Sequence, residues 1–324
     1  MLPRFAADYR TLLWTMVLTP GLVALQFARP DLVPYLSWVS CYLALSCGVI
    51  AHNHNHCPTF KDKRANQLFG NWISVFYGYP TFAWIPTHNL NHHKLVNRAG
   101  DATITWRYTN RHNVLVAATY FFVSSYFQSD PIRAFIRKAK LNNPSLYQRI
   151  IRQYLFWAGS HVAACALAIW LHGVATGLFV YALTMFVPAL FALWTIMLFN
   201  YEQHVHTDPW SEHNHSRSFT SKWLNFMLFN NGLHAAHHEH PGLHWSKLPQ
   251  AHAELAPKID PQLLPRSMWF YFFRQYFLAM FFPSLGSKQV GRAGFDPPDG
   301  QSVDLTADDV DQAEAGTNAT MFGV

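Results

Sequence analysis

Four uncharged apolar runs are spaced along the chain, at 11–28, 32–51, 154–172 and 174–199. Each is close to the roughly 20 residues that a helix needs to cross a bilayer. The first run lacks a small-residue cleavage site and is followed at once by the second, so we expect a retained span rather than a signal peptide. Polar turns at 29–31 and near Gly173 join the runs in pairs. The pattern predicts an all-α membrane protein with four transmembrane helices in two hairpins.

Three shorter apolar stretches lie between or after these runs, at 71–86, 113–127 and 268–283. Each is too short or too interrupted for a comfortable crossing, and the third carries Arg274 in its middle. Their Trp and Tyr content is typical of helices that lie in the membrane interface. We therefore predict interfacial helices, and an additional pair of membrane spans is the alternative.

The basic residues are distributed unevenly between the two sides that these spans define. Of the 24 Lys and Arg, two precede the first span, 13 lie within 52–153 and eight follow 199, which leaves Arg29 alone on the opposite side. Cytoplasmic loops carry the excess of Lys and Arg. The sequence therefore predicts that both termini and the segment 52–153 are cytoplasmic, with a helical cap on that face.

Composition narrows the class of protein further. Only 13% of the residues are charged, against about 25% in an ordinary soluble domain, while 50% are hydrophobic and 16% aromatic. This excludes a disordered protein, a coiled coil and a nucleic-acid-binding domain. The 19 His outnumber the 18 Asp and Glu, which indicates metal binding.

The C-terminal segment has a different composition. After Arg292 there are seven acidic residues and no Lys or Arg, which predicts one domain over 1–292 and an acidic, disordered tail over 293–324. Without these seven, the formal net charge of the chain would rise from +6 to +13. Such a basic face suits anionic lipid headgroups or an acidic carrier of the substrate.

Histidines are concentrated in four short segments: HNHNH at 52–56, HNLNHH at 88–93, NYEQH at 200–204 and HAAHH at 234–238. Within each, spacings of three or four residues place side chains on one helical face, where two imidazoles are able to bind one metal ion. His54 lies about 200° around the helix from His52, so we expect it either to contact a metal-binding residue without binding the metal itself or to face solvent. The predicted ligands are His52, His56, His88, His92, His93, His204, His234, His237 and His238.

Nine ligands exceed the roughly three to six that one metal ion takes, so the sequence predicts two ions. Imidazole suits iron, zinc, copper and nickel, and two irons at the cytoplasmic end of a helix bundle suit oxygen chemistry on a buried chain. Zinc is possible in purified protein because it competes well for imidazole. Asn200 shares a helical face with His204 and is a further candidate ligand. His206 and His240 are candidates for hydrogen bonds to the metal-binding residues.

Two other kinds of metal protein fit this pattern less well. A zincin protease needs Glu after the first His, where Asn53 stands here. A metal transporter holds its ions near the bilayer midplane, whereas these histidines follow the cytoplasmic ends of the spans. A non-catalytic metal-handling membrane protein remains as a distant alternative.

At this point the chain resembles the integral-membrane fatty acid desaturase and hydroxylase superfamily. The resemblance rests on the three histidine boxes at 52–56, 88–93 and 234–238, on NYEQH at 200–204, and on HHEHPGLHWSKLP at 237–249, which looks like a stretch of bacterial members. It implies four spans under a cytoplasmic cap with a di-iron centre that uses O2. Family members take electrons from ferredoxin, rubredoxin or cytochrome b5, and since no cofactor fingerprint occurs here, an external electron donor is implied.

The reaction that this resemblance implies is desaturation of a fatty acyl chain carried by a lipid, coenzyme A or acyl carrier protein. A membrane hydroxylase of alkyl chains or fatty acids, or an oxidative decarboxylase, is the alternative. Many desaturases have Asp after the first His of box one and alkane hydroxylases have Glu, while this chain has Asn53. A bacterial member would lie in the inner membrane.

The acyl chain of such a substrate needs a hydrophobic tunnel that places it under the metals. Trp84, Trp106, Trp223 and Trp245 are candidate wall residues. Asp101 is expected to accept a hydrogen bond from a ligating histidine and so to orient its ring.

Overall fold

The computed structural model describes residues 2–299, and this part of the chain is helical with no β-strand apart from one isolated antiparallel bridge between Pro3 and Phe60. The described residues fall into two compact units. Unit 1 comprises 2–85 and Arg133–Ile196, and unit 2 comprises Pro86–Ile132 and 197–299. The predicted acidic tail lies outside the described residues from position 300 onward. Before that point, the Ala293 carbonyl accepts a hydrogen bond from Trp210 Nε1 at 3.0 Å.

The helices follow one another in this order: α1 Asp8–Ala28, α2 Pro30–His56, α3 Lys63–Tyr77, α4 Ile85–His92, α5 Val114–Asn142, α6 Pro144–His172, α7 Val174–His204, α8 Lys222–Met227, α9 His234–Glu239, α10 Leu248–Leu255 and α11 Met268–Phe273. Helix α4 is π-helical and continues into a short α-helical turn, His93–Leu95. Shorter π-helical segments occur within α1 at Leu13–Leu18 and within α7 at Ala182–Phe186.

Four helices, α1, α2, α6 and α7, are long and apolar enough to cross a membrane. This confirms the predicted all-α membrane protein with four spans. Each helix is longer than its apolar run, because the polar residues that flank the run continue the helix. Helix α2 extends to His56 and α7 extends to His204, so each carries its histidine segment on its last turns.

A single residue separates the two helices of each pair of spans. Arg29 separates α1 from α2 with a φ of −133°, and Pro30 then opens the next helix. Gly173 separates α6 from α7 at a φ of +76°, which residues with a side chain rarely adopt. At the other end of α6, Asn143 caps the helix by accepting a hydrogen bond from Leu146 N at 3.0 Å.

Two of the three shorter apolar stretches are exposed, as expected of helices that touch lipid. On α5, Leu115, Phe122 and Tyr126 are each about 70% exposed. On α11 and the turns that follow it, Trp269 and Phe281 are exposed by 72% and 63%. The stretch 71–86 differs from the prediction: it packs inside unit 1, where Ile73 and Phe82 are fully buried.

Helix α3 ends at Gly78, whose backbone has a φ of +94° and whose missing side chain leaves room for α7. A Cβ at this position would lie 2.5 Å from the Ala189 Cβ. Gly78→Ala therefore combines backbone strain with a steric clash, and we expect it to lower the free energy of unfolding by about 1–3 kcal/mol. The measurement is the thermal unfolding midpoint of the purified chain in detergent.

Gly21→Ala is the matched control, because a Cβ at Gly21 meets nothing within 4 Å and alanine is favoured in a helix. We expect its midpoint to equal or exceed that of the wild type. An unchanged midpoint for Gly78→Ala would contradict the close contact between Gly78 and Ala189.

Candidate metal centre

Four histidines of unit 2 converge on one point: His92, His204, His234 and His238. One nitrogen from each lies within 4.8 Å of the corresponding nitrogen of every other member. The Nε2 atoms of His92 and His204 are 3.0 Å apart, those of His204 and His234 are 2.9 Å apart, and those of His234 and His238 are 3.1 Å apart. We refer to these four residues as group A.

Three further histidines of unit 2 form a second convergence, group B, which consists of His88, His93 and His237. The Nε2 atom of His93 lies 3.1 Å from that of His88 and 2.9 Å from that of His237. The two groups are neighbours, since the rings of His93 and His238 stack with their centroids 4.3 Å apart. Unit 2 therefore contains two adjacent clusters of imidazole nitrogens.

The winding of helix α4 explains how HNLNHH supplies both groups. In a π-helix the hydrogen bonds run from residue i to i+5, so residues five apart come to lie near one another along the helix. His88 and His93 are five apart and share group B, while His92 belongs to group A. An α-helix would instead bring His88 close to His92, four residues along the chain.

HAAHH supplies both groups by a different route. Helix α9 is α-helical, so His234 and His238 lie one turn apart and share group A. His237 precedes His238 and is rotated from it by about 100°, which directs its ring to group B.

Hydrogen bonds to the far side of two rings fix their tautomers. His92 Nδ1 lies 2.8 Å from Asp101 Oδ2, and a carboxylate only accepts, so the hydrogen is on Nδ1. His204 Nδ1 lies 3.2 Å from the backbone carbonyl oxygen of His215, which also only accepts. Both rings consequently present an Nε2 lone pair, and the two lone pairs face each other at 3.0 Å.

Two facing lone pairs repel unless a cation lies between them, so this donor set fits a metal ion. Metal–imidazole bonds are about 2.1 Å long, as in zinc sites, and at this bond length two nitrogens at the right angles of an octahedral ion are about 3.0 Å apart. The Nε2 separations within groups A and B, between 2.9 and 3.1 Å, match this value. Neutral imidazole is the form that binds metal.

The electrostatics of His238 point the same way. Burial lowers the pKa of His238 well below its ordinary value, and the neighbouring imidazoles of His93 and His234 lower it further. The ring is therefore neutral at physiological pH, with a lone pair available for a metal ion.

Asp101 is the fully buried carboxylate that orients His92. Besides His92, it accepts hydrogen bonds from Asn97 N at 2.8 Å, Thr103 N at 2.7 Å and Thr103 Oγ1 at 2.7 Å. Burial alone would raise the pKa of Asp101, but attraction to His92 and the hydrogen bonds from His92 and Thr103 outweigh it and lower the pKa to about 2. Asp101 is therefore an anion at physiological pH, and it contacts the edge of the His92 ring that faces away from the other imidazoles of group A.

Asn97 ties this loop to the end of α7 and was not predicted from the sequence. Its side-chain amide donates to the His204 carbonyl at 3.0 Å, and its Oδ1 accepts from Thr105 N at 2.8 Å. Its backbone has a φ of +61°, a conformation that Asn tolerates better than most residues. The available signal was an Asn in the loop directly after the second box, but its partner is distant in sequence.

Within unit 1, His52 and His56 lie on the last turns of α2 with their ring centroids 4.8 Å apart. The Trp84 ring lies 5.2 Å from that of His52 and stacks on Tyr77. His54 is directed elsewhere, as its position on the helix predicted. Its Nε2 lies 3.2 Å from the Asn66 carbonyl and its Nδ1 lies 3.0 Å from Thr59 Oγ1.

The remaining candidates from α7 and its surroundings make other contacts. Asn200 donates to the Tyr120 hydroxyl at 3.1 Å, and that hydroxyl in turn donates to the Thr103 carbonyl. His206 contacts the carbonyl of Asn110 at 2.7 Å and that of Ser287 at 3.0 Å through its two nitrogens. His240 is exposed at the end of α9.

The other three candidate tunnel residues occupy different environments. Trp106 donates from Nε1 to the Asn97 carbonyl at 2.8 Å. Trp245 is 8% exposed and packs edge-on against Phe229. Trp223 is 68% exposed, which does not support its predicted place in a tunnel wall, and the tunnel itself stays a prediction.

Comparison with known protein families agrees with this geometry. A family model described as fatty acid desaturase matches residues 30–283, which is most of the chain. The chain therefore belongs to the fatty acid desaturase family, as the histidine boxes suggested. Comparison with curated proteins and with solved structures gave no match. Family membership and the two histidine groups together indicate a membrane oxidoreductase of desaturase or hydroxylase type with a His-rich metal site.

Asp101→Asn tests the role of the buried carboxylate. An amide in either orientation directs its NH2 group at a backbone N–H, that of Asn97 or that of Thr103, so the side chain no longer fits behind His92. Loss of such a partner typically lowers metal affinity about 10- to 100-fold, and we expect a change of this size. The measurement is metal bound per chain in competition with a chelator.

The pH dependence of this effect follows from the lowered pKa. A carboxyl group whose pKa is lowered by folding stabilises the fold fully at any pH above its unfolded-state pKa. For Asp101 this stabilisation is lost as the pH falls through its folded-state pKa of about 2. The difference in metal affinity between the wild type and Asp101→Asn is therefore expected to be constant between about pH 5 and pH 8. The control is Glu212→Gln, because the Glu212 side chain is 82% exposed. Equal metal affinity in the Asp101 variant and the wild type would refute the orienting role.

Proposed function

We propose that this member of the fatty acid desaturase family is an O2-dependent, non-haem di-iron enzyme that introduces a C=C bond into a fatty acyl chain. The observation that carries the proposal is the pair of adjacent histidine groups, in which neighbouring imidazole nitrogens lie between 2.9 and 3.1 Å apart. Group A supplies four nitrogens and group B supplies three. These are enough to hold two ions, but an ion in group B would have only three protein ligands.

His52 and His56 complete the ligand set in this proposal, as partners of group B. They lie one turn apart on the last turns of α2, and they form the first of the three histidine boxes. Their addition gives five imidazoles for one ion and four for the other, so the proposed ligands are the nine histidines predicted from the sequence. Two irons bound in this way would supply the O2 chemistry that breaks an unactivated C–H bond.

The protein's own residues hold the ligands and set the charge around them. Asp101 and the His215 carbonyl keep the Nε2 atoms of His92 and His204 free of hydrogen. Asn97 fixes the second box against the end of α7. Because the ligands are neutral and one carboxylate lies behind them, they would leave much of the positive charge of the metal ions uncompensated.

Several other features of the protein belong to the proposal. The family suggests a lipid substrate, and we propose an acyl chain carried by a lipid, coenzyme A or acyl carrier protein. Electrons come from a ferredoxin, a rubredoxin or a cytochrome b5, because the sequence contains no cofactor fingerprint of its own. The uneven distribution of Lys and Arg supports cytoplasmic termini and, in a bacterium, a place in the inner membrane.

The reaction is tested by mass spectrometry of lipids and fatty acids from cells that express the chain together with an electron-transfer system. We expect acyl chains that have lost two hydrogens, and none in cells that express His204→Ala, which removes a nitrogen from the centre of group A. Products that have gained one oxygen would identify a hydroxylase, and shortened terminal alkenes a decarboxylase. The absence of any product from an iron-loaded, reduced enzyme would refute all three.

The first histidine box offers a matched set of variants for the ligand proposal. We expect His52→Ala and His56→Ala to lower the metal content to roughly half, because each weakens one of two sites. His54→Ala removes an imidazole from the same helical turns, but that ring is hydrogen-bonded to Asn66 and Thr59. This variant should retain full metal content and lose only thermal stability. Equal metal loss in all three variants would contradict the assignment.

A further inference from the structure

Unit 1 contains a cavity of about 400 Å³ that the proposed reaction does not use. It lies between α3 and α6, with residues from the end of α2 on one side. Ligand pockets commonly have volumes of about 300–1,000 Å³, so this cavity is large enough for a small organic group.

The charge of the cavity is one-sided. Three arginines line it, Arg64, Arg149 and Arg152, and no Asp or Glu is among its described lining residues. Arg64 and Arg152 are exposed and Arg149 is half-buried. Three positive charges around one space repel one another, and an anion in that space relieves the repulsion.

The inner wall of the cavity is polar and held in place by hydrogen bonds. Gln153, which is 5% exposed, donates to Asn71 Oδ1 and to Thr81 Oγ1, each at 3.1 Å. Its own Oε1 accepts from Phe82 N at 3.0 Å. Gly70 lies beside them, and a Cβ there would lie 3.2 Å from Thr81 Oγ1, so a side chain would crowd this wall. Hydrogen bonds therefore hold the polar wall of the cavity in a fixed arrangement.

The cavity borders the helix that carries the first histidine box. His54 and Asn55 line it, and Asn55 is fixed by donating to the carbonyls of Ala51 and Thr81 at 2.8 and 3.2 Å. On this helix His54 lies about 200° from His52, while Asn55 lies only about 60° from it. The cavity therefore borders the turns that carry the proposed ligands of box one.

We propose that this cavity binds the phosphate-bearing headgroup of the acyl substrate. Guanidinium groups bind phosphate oxygens through paired N–H donors, and three of them exceed what the single carboxylate of a free fatty acid requires. Identifying the anion as the headgroup of an acyl substrate rests on the function proposed above. Two sources share this chemistry: a phospholipid and a coenzyme A thioester.

The test measures binding to the full-length chain, purified in detergent, by calorimetry. The probes are dioctanoyl phosphatidate, coenzyme A and octanoate, and the last of these has a carboxylate but no phosphate. We expect at least one phosphate-bearing probe to bind more tightly than octanoate. Arg64→Gln/Arg152→Gln should weaken that binding by at least about tenfold, since hydrogen bonds to charged groups are each worth this much or more.

Arg137→Gln/Lys140→Gln is the matched control. It removes the same number of positive charges from exposed positions of α5 that do not line the cavity. We expect its affinity for the phosphate-bearing probe to equal that of the wild type. Both substituted arginines in the test variant are exposed, so that variant should keep the unfolding midpoint and the metal content of the wild type.

The outcomes distinguish a phospholipid from a coenzyme A thioester, and they test the binding site separately from the proposed oxidation. Preference for dioctanoyl phosphatidate identifies a phospholipid headgroup, and preference for coenzyme A identifies a thioester. Equal binding of octanoate, or equal loss of affinity in the two double variants, would overturn the site. Because binding needs neither metal nor turnover, its failure leaves the proposed oxidation untouched, and a failure to detect oxidised products leaves the binding result standing.

Discussion

Unit 2 is organised around one electrostatic requirement: imidazole nitrogens that converge to bind a metal ion must present lone pairs and not hydrogens. A neutral histidine does so when the hydrogen is on its other nitrogen, and an acceptor beside that nitrogen holds the hydrogen there. Asp101 is that acceptor for His92, and the His215 carbonyl is that acceptor for His204. The same hydrogen bonds also hold the backbone in place: His92 fixes the loop after the second box, and His204 fixes the chain after α7.

The division of the histidines into two groups depends on how the backbone is wound. Helix α4 is π-helical and separates His92 from His88 and His93, while α9 is α-helical and separates His237 from His234 and His238. Seven nitrogens from three segments therefore form two neighbouring clusters. Asn97 joins the loop after the second box to His204, which lies 107 residues later in the sequence, so the clusters are fixed by packing and not by local helix geometry alone.

The sequence predicted the four spans because long uncharged runs have few alternatives in a folded protein, and α2 and α7 differ from the prediction mainly in extending to His56 and His204. It also predicted Asp101 as the partner of a ligating ring. It missed the π-helix, because a spacing of four residues is read as α-helical by default. It missed Asn97 because the His204 carbonyl that Asn97 contacts is brought to it only by the tertiary fold.

The π-helical backbone of α4 has a consequence for anyone who transfers this metal site to another protein. On a regular helix the spacing of HNLNHH would place His88 and His92 on one side and leave His93 about 100° away. Such a graft would keep every histidine of the motif and still place together two nitrogens that here lie in separate groups. The arrangement of the histidines therefore depends on the backbone as well as on the motif, and a motif copied without its helix geometry is an incomplete copy.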